Sequence, residues 1–428
     1  MKTKLILLMI MASFFACQTN NDAPVPEVEP ASIPRIDIEL NAVEQQLTCQ
    51  ANSFAFNLLK TVYANENKRE NILISPLSAS LAFSMLNNGA AGATQEEIQQ
   101  TLGYGNASCE AINTFSQKMV DAMQTLDSRG VFQSANSIWI HKDFPVINSF
   151  KQVNQQYFEA EIQNVDFSKQ ATITSINSWV NKKTNGKIPV ILTNLNDDDR
   201  VLIMNALFFK GYWTEPFDKK LTADAKFRTS GGEVQMVPTM KSPFTLHNYY
   251  TKVGNCSAIE LPFGNEAFSL VVVLPDEDTD VSDVVGQMNA DWWEKITDFE
   301  KVAVEMFREN RAYVVKLEIP RFKMEYERTL NADLMALGMK TPFGLEADFS
   351  LISKEKLFIS NVRQKTFAQM DEEGMEAAAV TIALMAGSSE RTPEYVYIDF
   401  KVDRPFLFFI KEKSTRLVFF AGVMNKII

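Results

Sequence analysis

The sequence predicts one large α+β domain, with helices early in the chain and antiparallel strands late. Three observations carry that expectation. Early segments repeat their apolar residues at three- and four-residue steps, whereas later segments alternate or run apolar without a break. Between residues 39 and 428 there is no second linker and no internal repeat. The composition, 46% hydrophobic and 22% charged over 428 residues, supports a big core and excludes disordered, collagen-like and low-complexity chains. By length alone the chain could hold two or three average domains or a single large one.

The N-terminal end reads as an address. Lys2 and Lys4 precede the apolar run Leu5–Phe15, in which only Ser13 is polar. A helix needs ~20 apolar residues to span a bilayer, so this run is too short and fits the core of a signal peptide. It ends Phe14-Phe15-Ala16-Cys17, which resembles the bacterial lipoprotein lipobox, with Phe14 where Leu is more usual. That resemblance implies cleavage after residue 16 and lipidation of Cys17; the alternative is an ordinary secretory signal that contains a Cys. Gln18 after Cys17 implies the outer membrane, on its periplasmic or cell-surface side. Loss of residues 1–16 removes Lys2 and Lys4 and no acid, taking the formal net charge from −11 to −13. An anionic membrane surface would not hold such a chain by charge, so the lipid would have to. Residues 17–38 carry Pro24, Pro26, Pro30 and Pro34 among polar residues and read as an extended tether.

Within residues 39–428 the elements follow in order. Leu47, Ala51, Phe54, Leu58 and Val62 line one face of a helix. Ser75-Pro76 is an N-cap with Pro at the first helical position, leading to Leu77, Leu81 and Met85 and stopping at Gly89. Thr94 and Glu97 predict a capping box for a helix ending near Gly103. Residues 200–209 place apolar side chains on both faces, which predicts a strand central in a sheet. Phe268–Leu274 is a continuous apolar strand, and Val315, Leu317 and Ile319 alternate with Lys316 and Glu318 as in a half-exposed one. Phe406–Ile410 and Arg416–Phe420 flank a polar turn and read as a hairpin.

Several chemistries are excluded by pattern. The net charge of −11 argues against non-specific nucleic-acid binding. His141 and His247 are the only imidazoles, and neither lies in a Gly-rich or nucleophile-bearing context; His141 reads as a strand-end residue. There is no G-x-S-x-G, H-E-x-x-H, C-x-x-C or G-x-x-x-x-G-K-[ST] motif, and Gly103-Tyr104-Gly105 reads as a turn. No cofactor or metal site is expected. Cys49, Cys109 and Cys256 read as small buried or half-buried hydrophobes, with one disulfide among them left open.

Residues 371–399 are a long uncommitted stretch, small and Ala-rich at first and loop-like afterwards, and they read either as a functional loop or as an Ala-rich surface helix. Their neighbours decide between the two. The chain resembles the serpins over residues 39–428. Residues 71–78 (Asn-Ile-Leu-Ile-Ser-Pro-Leu-Ser) match the family's buried Ser-Pro segment. Residues 205–213, from Asn205 to Trp213, match its central strand; Glu372-Glu373-Gly374-x-Glu376-Ala377-Ala378-Ala379 matches the reactive-loop hinge. Residues 403–410 match the C-terminal signature.

The resemblance implies helices packed on a large, mostly antiparallel central sheet with two smaller sheets and an exposed reactive loop. It implies a suicide-type inhibitor that is not itself an enzyme: a serine or cysteine endopeptidase attacks the loop, forms an acyl-enzyme, and is trapped as the cut loop inserts as a new strand. The implied hinge is Glu373, Gly374, Met375, Glu376, Ala377, Ala378, Ala379, Val380 and Thr381. Alternation sends Met375, Ala377, Ala379, Thr381 and Ala383 inward and Glu376, Ala378, Val380 and Ile382 outward. Met375 departs from the Thr or Ser of inhibitory members. Gln364 stands where many members have His, and a buried network of Ser75, Ser78, Asn205, Trp213 and Gln364 is implied, since Gln both donates and accepts. Counting Gly374 as the first, the fifteenth residue places the cut at Ser388–Ser389. The chain from there to Pro405 is longer than in common members, so Met385–Ala386, Ala386–Gly387 and Arg391–Thr392 are alternatives. Small residues here suggest an elastase- or subtilisin-like target. A monomer is expected, and a non-inhibitory binding or chaperone-like role is the competing reading.

Overall fold

The computed structural model describes residues 33–195, 199–242, 249–374 and 393–427. Residues 31–428 group as one compact unit. The chain runs α1 (Ala42–Asn65), β1 (Ile72–Ile74), α2 (Pro76–Asn87), α3 (Gly92–Thr101), α4 (Cys109–Thr125), β2 (Val131–His141), α5 (Asn148–Phe158), β3 (Glu161–Val165) and α6 (Gln170–Lys183). It continues through β4 (Val201–Lys210), β5 (Ala223–Arg228), β6 (Val234–Lys241), β7 (Tyr250–Val253), β8 (Cys256–Phe263) and β9 (Phe268–Pro275) to three helices, α7 (Val281–Gln287), α8 (Ala290–Ile296) and α9 (Phe299–Arg308). The last third holds β10 (Arg311–Pro320), β11 (Phe322–Thr329), α10 (Asn331–Ala336), β12 (Arg363–Met370), β13 (Glu394–Lys401), β14 (Phe406–Glu412) and β15 (Val418–Met424).

A six-stranded antiparallel sheet, β1-β15-β14-β9-β8-β7, forms the centre of the core. Every residue of β9 and β14 is buried, as continuous apolar runs require when both faces are covered. A four-stranded sheet, β13-β10-β6-β5, includes one parallel pair, β10 with β13. Two further groups, β3-β2-β4 and β11-β12, lie on either side of a cleft. The early helices pack where their apolar stripes predict: α1 buries Leu47, Phe54, Leu58 and Val62, and α2 starts at the Ser75 cap with Pro76 in its first turn.

Three expectations change. Thr94 and Glu97 do not cap a helix start, because α3 begins earlier, at Gly92. Their side chains instead hold a distant segment: Thr94 Oγ1 accepts from Asp348 N (2.8 Å), and Glu97 accepts from the amides of Lys340 (2.7 Å) and Thr341 (2.6 Å). β4 is buried on one face and half-buried on the other, but among the described residues it pairs only with β2, so there it is an edge strand and not a central one. The three described cysteines are all free, and Cys49 is exposed on α1 because its position faces away from the apolar stripe.

Candidate functional site

The cleft is walled by β4 (Leu207 to Lys210) and β12 (Phe367 to Gln369). Thr184, Lys187 and Ile188, just after α6, form one cover, and Ile410 and Phe420 of the six-stranded sheet form the other. β12 pairs only with β11, as β4 pairs only with β2. Among the described residues, each wall therefore presents one strand edge without a partner strand. Such an edge is a template for a further strand.

The covering segment is fastened to β12. Lys365 Nζ donates to Val190 O (3.1 Å), Arg363 Nη1 donates to Ile191 O (3.4 Å), and Lys187 Nζ sits 5.1 Å from the centre of the Phe367 ring. Sequence reading missed these clamps, although Arg363 and Lys365 flanking Gln364 already mark the outer face of β12.

At the upper end, the chain leaving β12 turns back on itself. Asp371 N donates to Gly374 O (3.0 Å) and Gly374 N to Asp371 O (3.2 Å), with Glu372 and Glu373 between them. Gly374 also forms an antiparallel bridge with Tyr212, two residues beyond β4. Trp213 secures the turn: its Nε1 donates to Asp371 O (2.9 Å), its backbone N donates to Glu373 O (3.3 Å), and its ring stacks on Phe263 at 4.6 Å. Gly374 has φ +128°, and a Cβ there would lie 2.6 Å from Trp213 N and 2.7 Å from Gly211 O. Only glycine fits this approach.

Charged residues around the turn add a second set of ties. Glu372 is 2% exposed and accepts from Thr222 Oγ1 (2.7 Å) and Arg321 Nη1 (3.4 Å). Burial works to raise its pKa, but these donors, the Arg321 charge and its own backbone amide outweigh burial and leave the carboxyl below its ordinary value. Glu373 forms an ion pair with Lys219. Asp371 is pushed up, first by burial and then by the neighbouring charges of Glu373 and Glu372. Thr222, Lys219 and Arg321 carried no signal in the sequence, since each is distant from the turn along the chain.

Beneath the cleft, Ser75 and Gln364 are joined at both ends of the Gln amide: Ser75 N donates to Gln364 Oε1 (3.0 Å), and Gln364 Nε2 donates to Ser75 O (2.9 Å). Ser75 Oγ donates to Phe419 O (2.9 Å), and Ser78 Oγ reaches Asn205 O (3.4 Å). The Asn205 side chain turns towards β2, donating to Ser134 Oγ (2.9 Å) and Asn136 Oδ1 (2.8 Å). It therefore joins the network through its backbone and not by a side-chain bond to Gln364.

Glu373 and Gly374 are the part of the hinge that is described. Met375, Glu376, Ala377, Ala378, Ala379, Val380, Thr381 and all the candidate cut sites (Met385, Ala386, Gly387, Ser388, Ser389, Arg391 and Thr392) lie outside the described residues, as do Cys17 and His247. Past them, Glu394 N donates to Asn310 O (2.8 Å), and β13 pairs in parallel with β10. No group of three or more metal-ligating residues occurs among the described residues, and no described helix is long and apolar enough to cross a membrane.

The model of one family, described as serpin (serine protease inhibitor), matches residues 50–427. The chain belongs to the serpin family. Serpin B6 of Macaca fascicularis is 33% identical over 86% of this serpin and 96% of its own length. Among solved structures, the thermophilic serpin tengpin in its native state matches with a TM-score of 0.76 at 30% identity, covering 92% of this serpin and 97% of tengpin. Human thyroxine-binding globulin, solved with its hormone, matches with a TM-score of 0.76 at 25% identity over 90% and 99% of the two chains. This serpin has the family's fold, with helices around a large antiparallel sheet and smaller sheets. The family is generally one of protease inhibitors, not enzymes, and includes members with other roles.

Proposed function

We propose that this serpin is a suicide-type inhibitor of a serine endopeptidase, with cysteine endopeptidases as a second target class. One observation carries the reading: at Gly374 the chain has already reversed direction and is bridged to both Asp371 and Tyr212, at the mouth of a cleft walled by two unpaired strand edges. β4 and β12 end side by side at that mouth, so they run the same way. A strand descending from Gly374 would be antiparallel to both, the favourable sense of pairing. Cutting the loop beyond the hinge frees residues 375 onward to descend, carrying the acylated protease with them at ~3.3 Å per residue. The expected result is an SDS-stable complex with at least one of an elastase-, subtilisin-, trypsin- and papain-like enzyme. Cleavage of the loop by all of them without a complex would refute the inhibitor reading.

The cut is assigned to Ser388–Ser389. The small residues around it, with Met385, Ala386 and Gly387, suit the pocket of an elastase- or subtilisin-like protease, whereas Arg391–Thr392 would suit a trypsin-like one. The mass of the released C-terminal peptide distinguishes them, since a cut at Ser388 leaves Ser389 as its first residue.

Met375 favours a second reading, a non-inhibitory serpin that binds a partner or acts as a chaperone, because a long side chain at this position of the hinge would retard insertion. That reading predicts no gain in stability on loop cleavage.

Residues 1–16 are assigned as a lipoprotein signal peptide, Cys17 as its lipidated residue and 17–38 as a tether holding the monomeric domain at the bacterial outer membrane. Body contacts begin by Ile33, whose carbonyl accepts from Asn265 Nδ2 (3.2 Å), so the tether's free length would lie upstream of it. Cys17→Ala should abolish incorporation of labelled fatty acid and release the protein from the membrane fraction. Retention of both would refute the anchor.

A further inference from the structure

The contacts that close the cleft do not use all the cations around it. Lys365 and Arg363 hold the carbonyls of Val190 and Ile191, Arg321 holds Glu372, and Lys219 pairs with Glu373. Lys187 and Lys323 make no ion pair among the described residues. Both instead lie over the ring of Phe367, Lys187 from the cover at 5.1 Å and Lys323 from β11 at 5.7 Å from its centre. Glu325 stands opposite Phe367 in the pairing of β11 with β12, yet it makes no ion pair with either ammonium. A phenyl face is a weaker partner for an ammonium than a carboxylate is. Two ammoniums on one ring also repel each other, so an anion between them would relieve both.

The lining next to these lysines is apolar. Ile188 of the cover and Ile410 and Phe420 of the six-stranded sheet are each less than a tenth exposed, and they line the same cleft as Lys187 and Phe367. The hydroxyl of Thr184 is already committed, donating to Val180 O (2.8 Å) and accepting from Ile188 N (3.1 Å). Asp371, at the upper end, would repel an anion. A charged head therefore belongs at the level of Phe367, with an uncharged body along Ile188, Ile410 and Phe420. Both walls are strand edges, and the slot between them admits a slender body better than a broad one.

We propose that the cleft binds a slender amphipathic carboxylate, a fatty acid of medium length, with its head between Lys187 and Lys323 and its chain on Ile188, Ile410 and Phe420. The bound acid lies in the path of a strand entering between β4 and β12, so it opposes insertion. That opposition rests on the inhibitor reading above; the binding itself does not.

The test is calorimetric titration of decanoate into the full chain at low ionic strength, with Cys17→Ala present so that no attached lipid competes. One acid should bind per chain. Lys187→Gln and Lys323→Gln should each weaken binding about fivefold, and the double substitution should abolish it. Lys182→Gln, in the last turn of α6, should change nothing. Decanol, which lacks the charge, should bind about tenfold more weakly, and added salt should weaken decanoate. Absence of saturable binding, or equal affinity with and without the two lysines, would overturn the site. With a protease that forms the SDS-stable complex, saturating decanoate should raise the number of inhibitor molecules consumed per protease trapped by several-fold, but not in the double variant. An unchanged number would overturn the opposition to insertion and leave the site standing. Decanoate binding by a chain that traps none of the four proteases would refute the inhibitor reading alone.

Discussion

Gly374 carries the tightest constraint at the site. Its positive φ and the 2.6 Å separation that a Cβ would have from Trp213 N leave no room for a side chain. Gly374→Ala would have to pull the turn away from Tyr212 and Trp213, breaking the bridge to Tyr212. The expected cost to the intact protein is about 1–3 kcal/mol, read as a lower unfolding midpoint, together with more substrate-like turnover of the loop. Glu372 makes a separate prediction. Its folded pKa lies below the ordinary 4.5, so its contribution to stability is complete above that value and is lost as pH falls through the folded value. Guanidinium unfolding between about pH 6 and 3.5 should show this loss in the wild type. Glu372→Gln should be less stable at pH 6 and show a shallower decline; equal slopes would mean that the Thr222 and Arg321 contacts do not matter.

At the scale of elements, side-chain pattern was readable, whereas of the backbone pairings only the local β14–β15 hairpin was. The stripe from Leu47 to Val62 and the Ser75-Pro76 cap are local signals, and α1 and α2 follow from them. β4 shows where such reading stops. Apolar residues on both faces mean that both faces are covered, but a strand's two hydrogen-bonding edges bear no side chains, and nothing in residues 200–209 marks the edge left open to the cleft. Thr94 and Glu97 have the spacing of a capping box, yet their partners lie far along the chain, where a pattern of neighbours cannot find them. Gln364 was recognisable through the family resemblance, as the residue that stands where many members have His. Its grip on both sides of the Ser75 backbone, which excludes the Asn205 side chain, depends on three-dimensional distance alone. Counted antiparallel from the two Gly374 bridges, an inserting strand would come level with Phe208 on β4 and Phe367 on β12 at Ala378, four residues along each. This is the outer face, but it lies under Thr184, Lys187 and Ile188, so it is a slot between two rings and not open surface. Ala378→Trp should raise the number of inhibitor molecules consumed per protease trapped by several-fold, through the steric cost of overpacking, while Ala378→Ser leaves it near the wild-type value. Equal stoichiometries for Trp and Ser would show that the cover lifts freely.

For the whole molecule, the cleft between the β3-β2-β4 and β11-β12 groups bears on why the fold needs one domain and, on the proposed function, so few imidazoles. A cleft between β4 and β12 can accept a strand only if both walls belong to one body, and on the proposed inhibitor reading the catalytic groups would come from the attacking protease. Among the described residues, the ten residues of β4 and the eight of β12 each pair on one edge only. Insertion would pair both remaining edges and bury the inward side chains, and against this stands the entropy of ordering the loop. If the net gain is about 4 kcal/mol, the unfolding midpoint of a domain this large rises by roughly 5 °C. Calorimetry before and after a single cut in the loop measures it directly. The sign of the change separates the two readings of Met375: a side chain that merely slows entry leaves the final rise intact and shows only in the rate at which it develops, whereas one that bars entry removes the rise. Met375→Thr should therefore hasten the change without enlarging it, and a rise that appears only in the Thr variant would assign the natural chain to the non-inhibitory class.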